Sequence, residues 1–336
     1  MNPTLAGKIS VPIGMAIVLV AANFSAQADE IWVTNQRTNQ IEIIDSGTLK
    51  IIRKIPTGKK PHNITFSPDE NRVYVANLKS NDFTVIDANS YLPIKTVPAG
   101  KLVHHVAVSP HDNLLLVTNR GDNTISAYDA RSLASIKTIP VGKRPAMALF
   151  APDGKKAYVS NSGDGTLSVL DVTGLKISGI IRDVGQDAGS MVMSPDGKKL
   201  IVIADADNAY AIIDLGQERV LGKYSSGVDP RGLALKPKSD QVFIANRGSN
   251  DISIVDLANG SVAFRIPEVG DKPSSIGISP DGRHAYLALI GKRTAEDPPQ
   301  RPSGKDAGLS VVDVVAKKKL TTIKLGGDPY GVAVRK

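Results

Sequence analysis

The chain has five histidines, and three of them fall in a pattern that could do chemistry. His62 and His104 are 42 residues apart, each the second residue of a short apolar run, and His105 follows His104 directly. Tyr330 and Arg231 hold the same place in two further runs, with Ala146, Gly189 and Ser274 in the rest. A neutral imidazole binds metals and accepts hydrogen bonds, whereas a protonated one attracts anions. The set therefore points to capture of a metal, a haem-like ring or an anion, with Arg231 and Tyr330 adding a fixed charge and a hydroxyl. Should a metal be bound, His62 and His104 are the ligands expected. No Asp or Glu shares their register, so an anion or an organic ligand suits the set better. The competing assignment makes them polar lining, bonded to water or to neighbouring backbone. His111 and His284 sit in or beside turn sequences, apart from the group.

The elements that position these residues come from an internal repeat. Five segments share one form: WVTN (32–35), YVAN (74–77), LVTN (116–119), YVSN (158–161) and FIAN (243–246). Some ten residues after each comes a β-rich run closed by aspartate. These aspartates are Asp45, Asp87, Asp129, Asp171, Asp214, Asp256 and Asp313, separated by 42, 42, 42, 43, 42 and 57 residues. A unit of about 42 residues thus occurs seven times, with one insertion in the last copy. Apolar residues alternate with period two inside each unit, in four short runs broken by turn residues, and no window sustains a helical period. Four strands repeated at this length predict an all-β, seven-bladed β-propeller of four-stranded antiparallel blades. The N-terminal unit starts at its second strand, while residues 329–335 copy the first-strand pattern of 61–67. The last segment is therefore expected to pair with the N-terminal blade and close the ring. The aspartates and motif asparagines recur too regularly to mark a site; both types cap turns by bonding nearby backbone N–H groups.

These motifs resemble the YVTN family of seven-bladed propeller proteins, together with the Ser-Pro-Asp-Gly turns at 194–197 and 279–282 and V-G-x-x-P linkers such as 141–145. The resemblance spans residues 31–336 and departs from the pattern at Ile203-Ala204, where the asparagine is missing, and at the insertion. It implies an exported, often periplasmic protein. Within that family and its relatives it suggests accessory proteins of quinone-dependent alcohol oxidation, single-stranded DNA binders and, more distantly, haem d1 domains. The single Trp argues against a quinone dehydrogenase, whose eight blades mostly carry one.

Composition narrows the remaining choices. Without cysteine there is no disulfide, thiol nucleophile, Fe–S ligation or thioether haem attachment. Residues 1–28 read as an export signal: Lys8 is the only charge, residues 9–22 are mostly apolar, and Ala26-Gln27-Ala28 is a small-x-small cleavage site. Cleavage after Ala28 would leave residues 29–336 as a single propeller domain in the periplasm or outside the cell, a monomer with no membrane span. The chain carries a net charge of +8, which favours anionic partners. Linkers and loops of the first three blades place Arg37, Lys59, Lys60, Lys79, Lys101, Arg120, Lys143 and Arg144 on one face, and the following loops carry Asp164, Asp187, Asp205, Asp207 and Asp229. Such a dipolar face would dock an acidic protein partner or steer an anionic small molecule toward His62 and His104. Nucleic acid is less favoured, because Tyr330 is the one obvious rim aromatic and single-strand binders stack bases on several. The insertion at about 290–305 reads as a lid, a docking loop or a tolerated surface insertion. No G-x-S-x-G, H-E-x-x-H, P-loop or Rossmann pattern is present. No catalytic residue is therefore assigned and no cofactor named. The expectation is a non-catalytic binding or accessory propeller, with an enzyme or cofactor-processing protein built on the His62/His104 cluster and a single-stranded DNA binder as alternatives.

Overall fold

The computed structural model describes residues 28–111, 113–291 and 306–336; all but the last residue of the segment read as an export signal, and most of the insertion, lie outside the described residues. Those residues form 28 strands and one short 3-10 turn at Asp205–Asp207. The strands make seven four-stranded antiparallel sheets, each with its strands in chain order except the first. That first sheet runs Pro329–Arg335, Glu30–Asn35, Gln40–Asp45, Ile51–Pro56, so the C-terminal strand is the innermost strand of the N-terminal blade. Among the described residues, no helix is long and apolar enough to cross a membrane.

A four-stranded sheet with alternating side chains has two apolar faces, and each must be covered by a neighbour. Trp32, Ile41, Ile43 and Ile55 of blade 1 pack against Ile64, Val73, Val75 and Ile86 of blade 2. Tyr74, Phe83 and Val85 of blade 2 then pack against Val106, Leu115 and Val117 of blade 3. The same arrangement recurs around the ring until Tyr286, Leu309 and Val311 of blade 7 meet Ile31, Val33 and Ile44 of blade 1. The bulky residue opening each YVTN-like motif is thus wedged between blades: Trp32, Tyr74 and Phe243 are fully buried, and Tyr158 and Tyr286 nearly so.

The repeated polar residues hold turns, as expected. Every one of the seven aspartates accepts from a backbone N–H two or three residues on, for example Asp45 from Thr48 at 2.7 Å and Asp129 from Ser132 at 2.7 Å. Asn35 does the same, its Oδ1 accepting from Thr38 N at 3.4 Å, while two other motif asparagines hold a linker. Asn119 Oδ1 accepts from Gly100 N and Asn246 Oδ1 from Gly227 N, each at 3.0 Å, binding the linker that enters the same blade. The linker residue must be glycine for steric reasons: a Cβ on Gly142 would lie 2.5 Å from the Asn161 side chain. A second set of asparagines, Asn39, Asn81, Asn123, Asn208 and Asn250, all in the left-handed region, accepts from a backbone N–H of the next blade's linker at 2.7–2.9 Å. These bonds tie neighbouring blades together on the face where the linkers lie.

Ring closure is secured at one buried carboxylate. Glu30 pairs in register with Arg335 and accepts from Trp32 Nε1 at 3.0 Å and from the Tyr91 hydroxyl of blade 2. Arg335 reaches Glu30 at 3.5 Å and donates to Ala88 O at 2.5 Å. Removing residues 330–336 strips blade 1 of its inner strand and should lower the unfolding free energy by more than about 4 kcal/mol, beyond ordinary substitutions. Arg335→Gln, which leaves Glu30 buried without its cation, should cost about 3 kcal/mol. Urea denaturation measures both, and an Arg335→Gln protein as stable as the parent would refute the closing role of this pair.

Candidate ligand site at the channel mouth

The inner strands surround the central channel, and all seven break register with their neighbours at the same point. In blade 1 the pairing jumps from Asn35–Pro329 to Val33–Val332; in blade 2, from Pro61–Asn77 to Ile64–Val75. Blade 3 skips between Val103 and His105, blade 6 between Pro230 and Gly232, and blade 7 between Pro273 and Ser275. The second residue of the strand is left out of the ladder in every blade, together with the third in blades 1, 2, 4 and 5. An irregularity of this kind re-aims a side chain that regular alternation would assign to a blade face. Tyr330, His62, His104, Arg231 and Ser274 accordingly line one cavity of about 520 Å³, alongside Ala146 and Gly189, as the aligned sequence places them.

Three of these side chains bring their rings into tilted contact, 42° between planes. The His62 ring lies between Tyr330 and His104, with centroid separations of 4.1 Å and 4.0 Å. His104 Nδ1 is 2.8 Å from Ala146 O, and because a carbonyl only accepts, this nitrogen carries the hydrogen. His62 Nδ1 and His105 Nδ1 are buried with no hydrogen-bond partner. Burial, reinforced by His104, Arg120 and Lys60, holds His62 well below the ordinary histidine value. Burial, with Arg120 adding to it, places His104 at about 3, and burial alone places His105 at about 4. All three rings are therefore neutral near pH 7. Among the described residues no group of three His, Asp or Glu side chains is arranged to hold a metal ion.

The charged residues separate into engaged and open groups. Arg231 binds Asp205 through Nη1 and Asp229 through Nε at 3.1 Å, and Asp229 also binds Arg247 at 2.6 Å. The charge expected of Arg231 is thus largely matched within the protein. Arg120, read from sequence as part of the docking surface, instead lines the cavity, loosely paired with Asp187 at 3.9 Å. Lys60 and Lys79 line it too. Arg37, Lys59, Lys101, Lys143 and Arg144 are exposed around the same face.

Sequence alignment missed a second ring, made by the residue that follows each motif asparagine. Leu78, Arg120, Ser162 and Asp205 line the main cavity, while Gln36, Arg247 and Ile290 line an adjoining depression of about 500 Å³ that also includes Tyr330. Asp205 is its least expected member. Burial, opposed by Arg231 and reinforced by the bond to Asp229, raises its carboxyl to about 7. Burial works in the same sense on Asp229, but its bonds to Arg247 and Asp205 prevail and keep it below the ordinary value. The sequence signal for Asp205 was the missing asparagine at Ala204: the departure from the repeat lies one residue before it.

The architecture defines a seven-bladed propeller of the YVTN type. The profile of the YNCE-like beta-propeller family matches residues 4–111 and 96–307, and the chain belongs to that family. No curated protein matches the sequence. Several solved structures share the fold. Hydrazine synthase of Kuenenia stuttgartiensis is 21% identical over 81% of this chain and 89% of its own, with a TM-score of 0.69. The dihydro-heme d1 dehydrogenase NirN, solved in complex with DHE, is 17% identical over 91% of this chain and 75% of its own, with a TM-score of 0.65. A protein of unknown function from Desulfotomaculum acetoxidans DSM 771 is 14% identical over 92% and 99%, with a TM-score of 0.75.

The neutral histidines make a testable contribution to acid sensitivity. The unfolded chain takes up protons at the ordinary value of 6.5, while the folded site refuses them until about 3 at His104. Their stabilising share is therefore complete above 6.5 and lost as pH falls toward 3. Asp205 acts oppositely, its protonated form being favoured as pH falls below about 7. The His62→Phe/His104→Phe variant should show a shallower loss of urea midpoint between about pH 6.5 and 4, and Asp205→Asn a steeper one. An unchanged slope in the double variant would show that the rings do not set the acid limb.

Proposed function

We propose that this protein is an exported, non-catalytic binding propeller that captures an anionic small molecule or cofactor at the channel mouth. Export rests on the leader pattern of residues 1–28. The observation that carries the binding reading is the convergence of His62, His104 and Tyr330 on a cavity of about 520 Å³ bordered by Lys60, Lys79 and Arg120. The cavity is large enough for a cofactor-sized molecule. Below the polar mouth, Met147, Met191, Val192, Leu233, Ile276 and Val332 offer an apolar wall. The fitting ligand presents its charge to the rim and its body to the channel. Exposed Lys59, Lys101 and Lys143, repeated at 42-residue intervals, extend the positive field beyond the cavity and would guide an anion or an acidic protein toward it.

A second reading, a cofactor-processing enzyme, draws on Asp205, whose carboxyl at about 7 could exchange a proton with a bound molecule. The structural likeness to NirN, a dihydro-heme d1 dehydrogenase, is compatible with that reading, though at 17% identity it supports the fold and not the chemistry.

Native mass spectrometry on protein from the exported fraction, beside the His62→Ala/His104→Ala variant, tests capture directly. The expected result is a non-covalent mass retained by the parent and lost by the variant, at comparable melting temperatures. A bare parent protein would overturn small-molecule capture. If Asp205→Asn retains the bound molecule unchanged while the parent converts it, the enzymatic reading prevails.

A further inference from the structure

We infer that the anion captured at the channel mouth is a hydroxy acid, whose hydroxyl donates to His104 Nε2 while its charged groups face Arg120, Lys60 and Lys79. This rests on the anion-capture reading and names the chemistry of its ligand. Ala146 O, 2.8 Å from His104 Nδ1, can only accept, so the ring hydrogen is on Nδ1. A neutral imidazole with hydrogen on Nδ1 has only a lone pair on Nε2. The ring remains neutral, since burial and the charge of Arg120 hold it at about 3. His104 is partly exposed and lines the cavity, and its Nε2 has no hydrogen-bond partner among the described residues. The cavity wall therefore presents an acceptor that wants an O–H or N–H, next to cations that want an oxyanion.

The surrounding groups sharpen that requirement. Arg120 sits on the same blade as His104, close enough for its charge to weigh on the ring, and its carboxylate partner Asp187 is 3.9 Å away. Lys60 and Lys79 come from blade 2, whose His62 ring lies 4.0 Å from that of His104. Arg231 and Arg247 are already matched by Asp205 and Asp229. A simple carboxylate could satisfy the open cations, but its oxygens would meet His104 Nε2 lone pair to lone pair. A hydroxyl next to the carboxylate removes this conflict. Sites built to bond a hydroxyl discriminate against the analogue lacking it, because the protein group is left unpaired.

Citrate and tricarballylate carry the same three carboxylates and differ only in the hydroxyl, so calorimetric titration of both at neutral pH isolates this contact. The parent protein should bind citrate about fivefold more tightly, the worth of one neutral hydrogen bond. In His104→Phe the ratio should fall to about one, since the ring face remains and the acceptor is gone. Ala146 O keeps a donor there, Thr118 Oγ1 at 3.0 Å. His104→Leu, which also removes the acceptor, gives the same reading should the phenylalanine variant not fold. Arg120→Gln should weaken both ligands and preserve the ratio. Equal binding of the two by the parent, or a ratio that survives loss of the imidazole, overturns this inference and leaves anion capture standing. Binding of neither overturns anion capture itself, and the inference with it.

Discussion

A blade of four strands cannot cover both of its own faces, and the whole molecule follows from that constraint. Each apolar cluster of the core belongs to two adjacent blades, from Trp32 against Ile64 to Tyr286 against Ile31. Burial is non-directional and grows with area, so it favours a stack of blades but does not by itself close one. Closure comes from the C-terminal strand, which supplies the inner edge of the first blade and brings Arg335 to the buried Glu30. With no cysteine to cross-link the chain, this pairing and the interlocked faces are what hold the ring.

A closed ring makes a site out of positions that no single blade would bring together. The seven register breaks each release the second residue of the inner strand from the ladder at the channel mouth, and the ring converges them. Tyr330, His62 and His104 come from three blades, and the His62 ring lies about 4 Å from each of the other two, tilted 42° to both. The circle of sheets fixes such a constellation, because each inner strand is held by hydrogen bonding on one side and by neighbouring blades on its faces. The cost is electrostatic. Burying three imidazoles among cations leaves them neutral, and packing Asp205 near Asp229 leaves one carboxyl with a raised affinity for protons.

The repeat explains which polar groups are architectural. Seven aspartates close the same turn, and five asparagines bridge to the next blade through the same backbone N–H. Against that background the exceptions stand out chemically: histidine at the inner-strand position in only two blades, and Ala204 in place of the motif asparagine just before Asp205. Function on a repeat scaffold resides in the residues that differ between copies.

Period and alternation in the chain were enough to determine the blade count, the closing strand, the interblade placement of Trp32, Tyr74 and Phe243, and the convergence of His62, His104, Arg231 and Tyr330, because each follows from local spacing multiplied by symmetry. Tertiary structure alone decided the rest. Whether Arg231 is open or matched depends on Asp205 and Asp229, which lie on different loops. That Arg120 turns into the cavity instead of staying on the outer face depends on a second ring of positions after the motif asparagines. The protonation of the histidines and of Asp205 depends on what else is buried beside them. Charge pairing and desolvation act through space across blades, and a linear pattern, however regular, carries distances only along the chain.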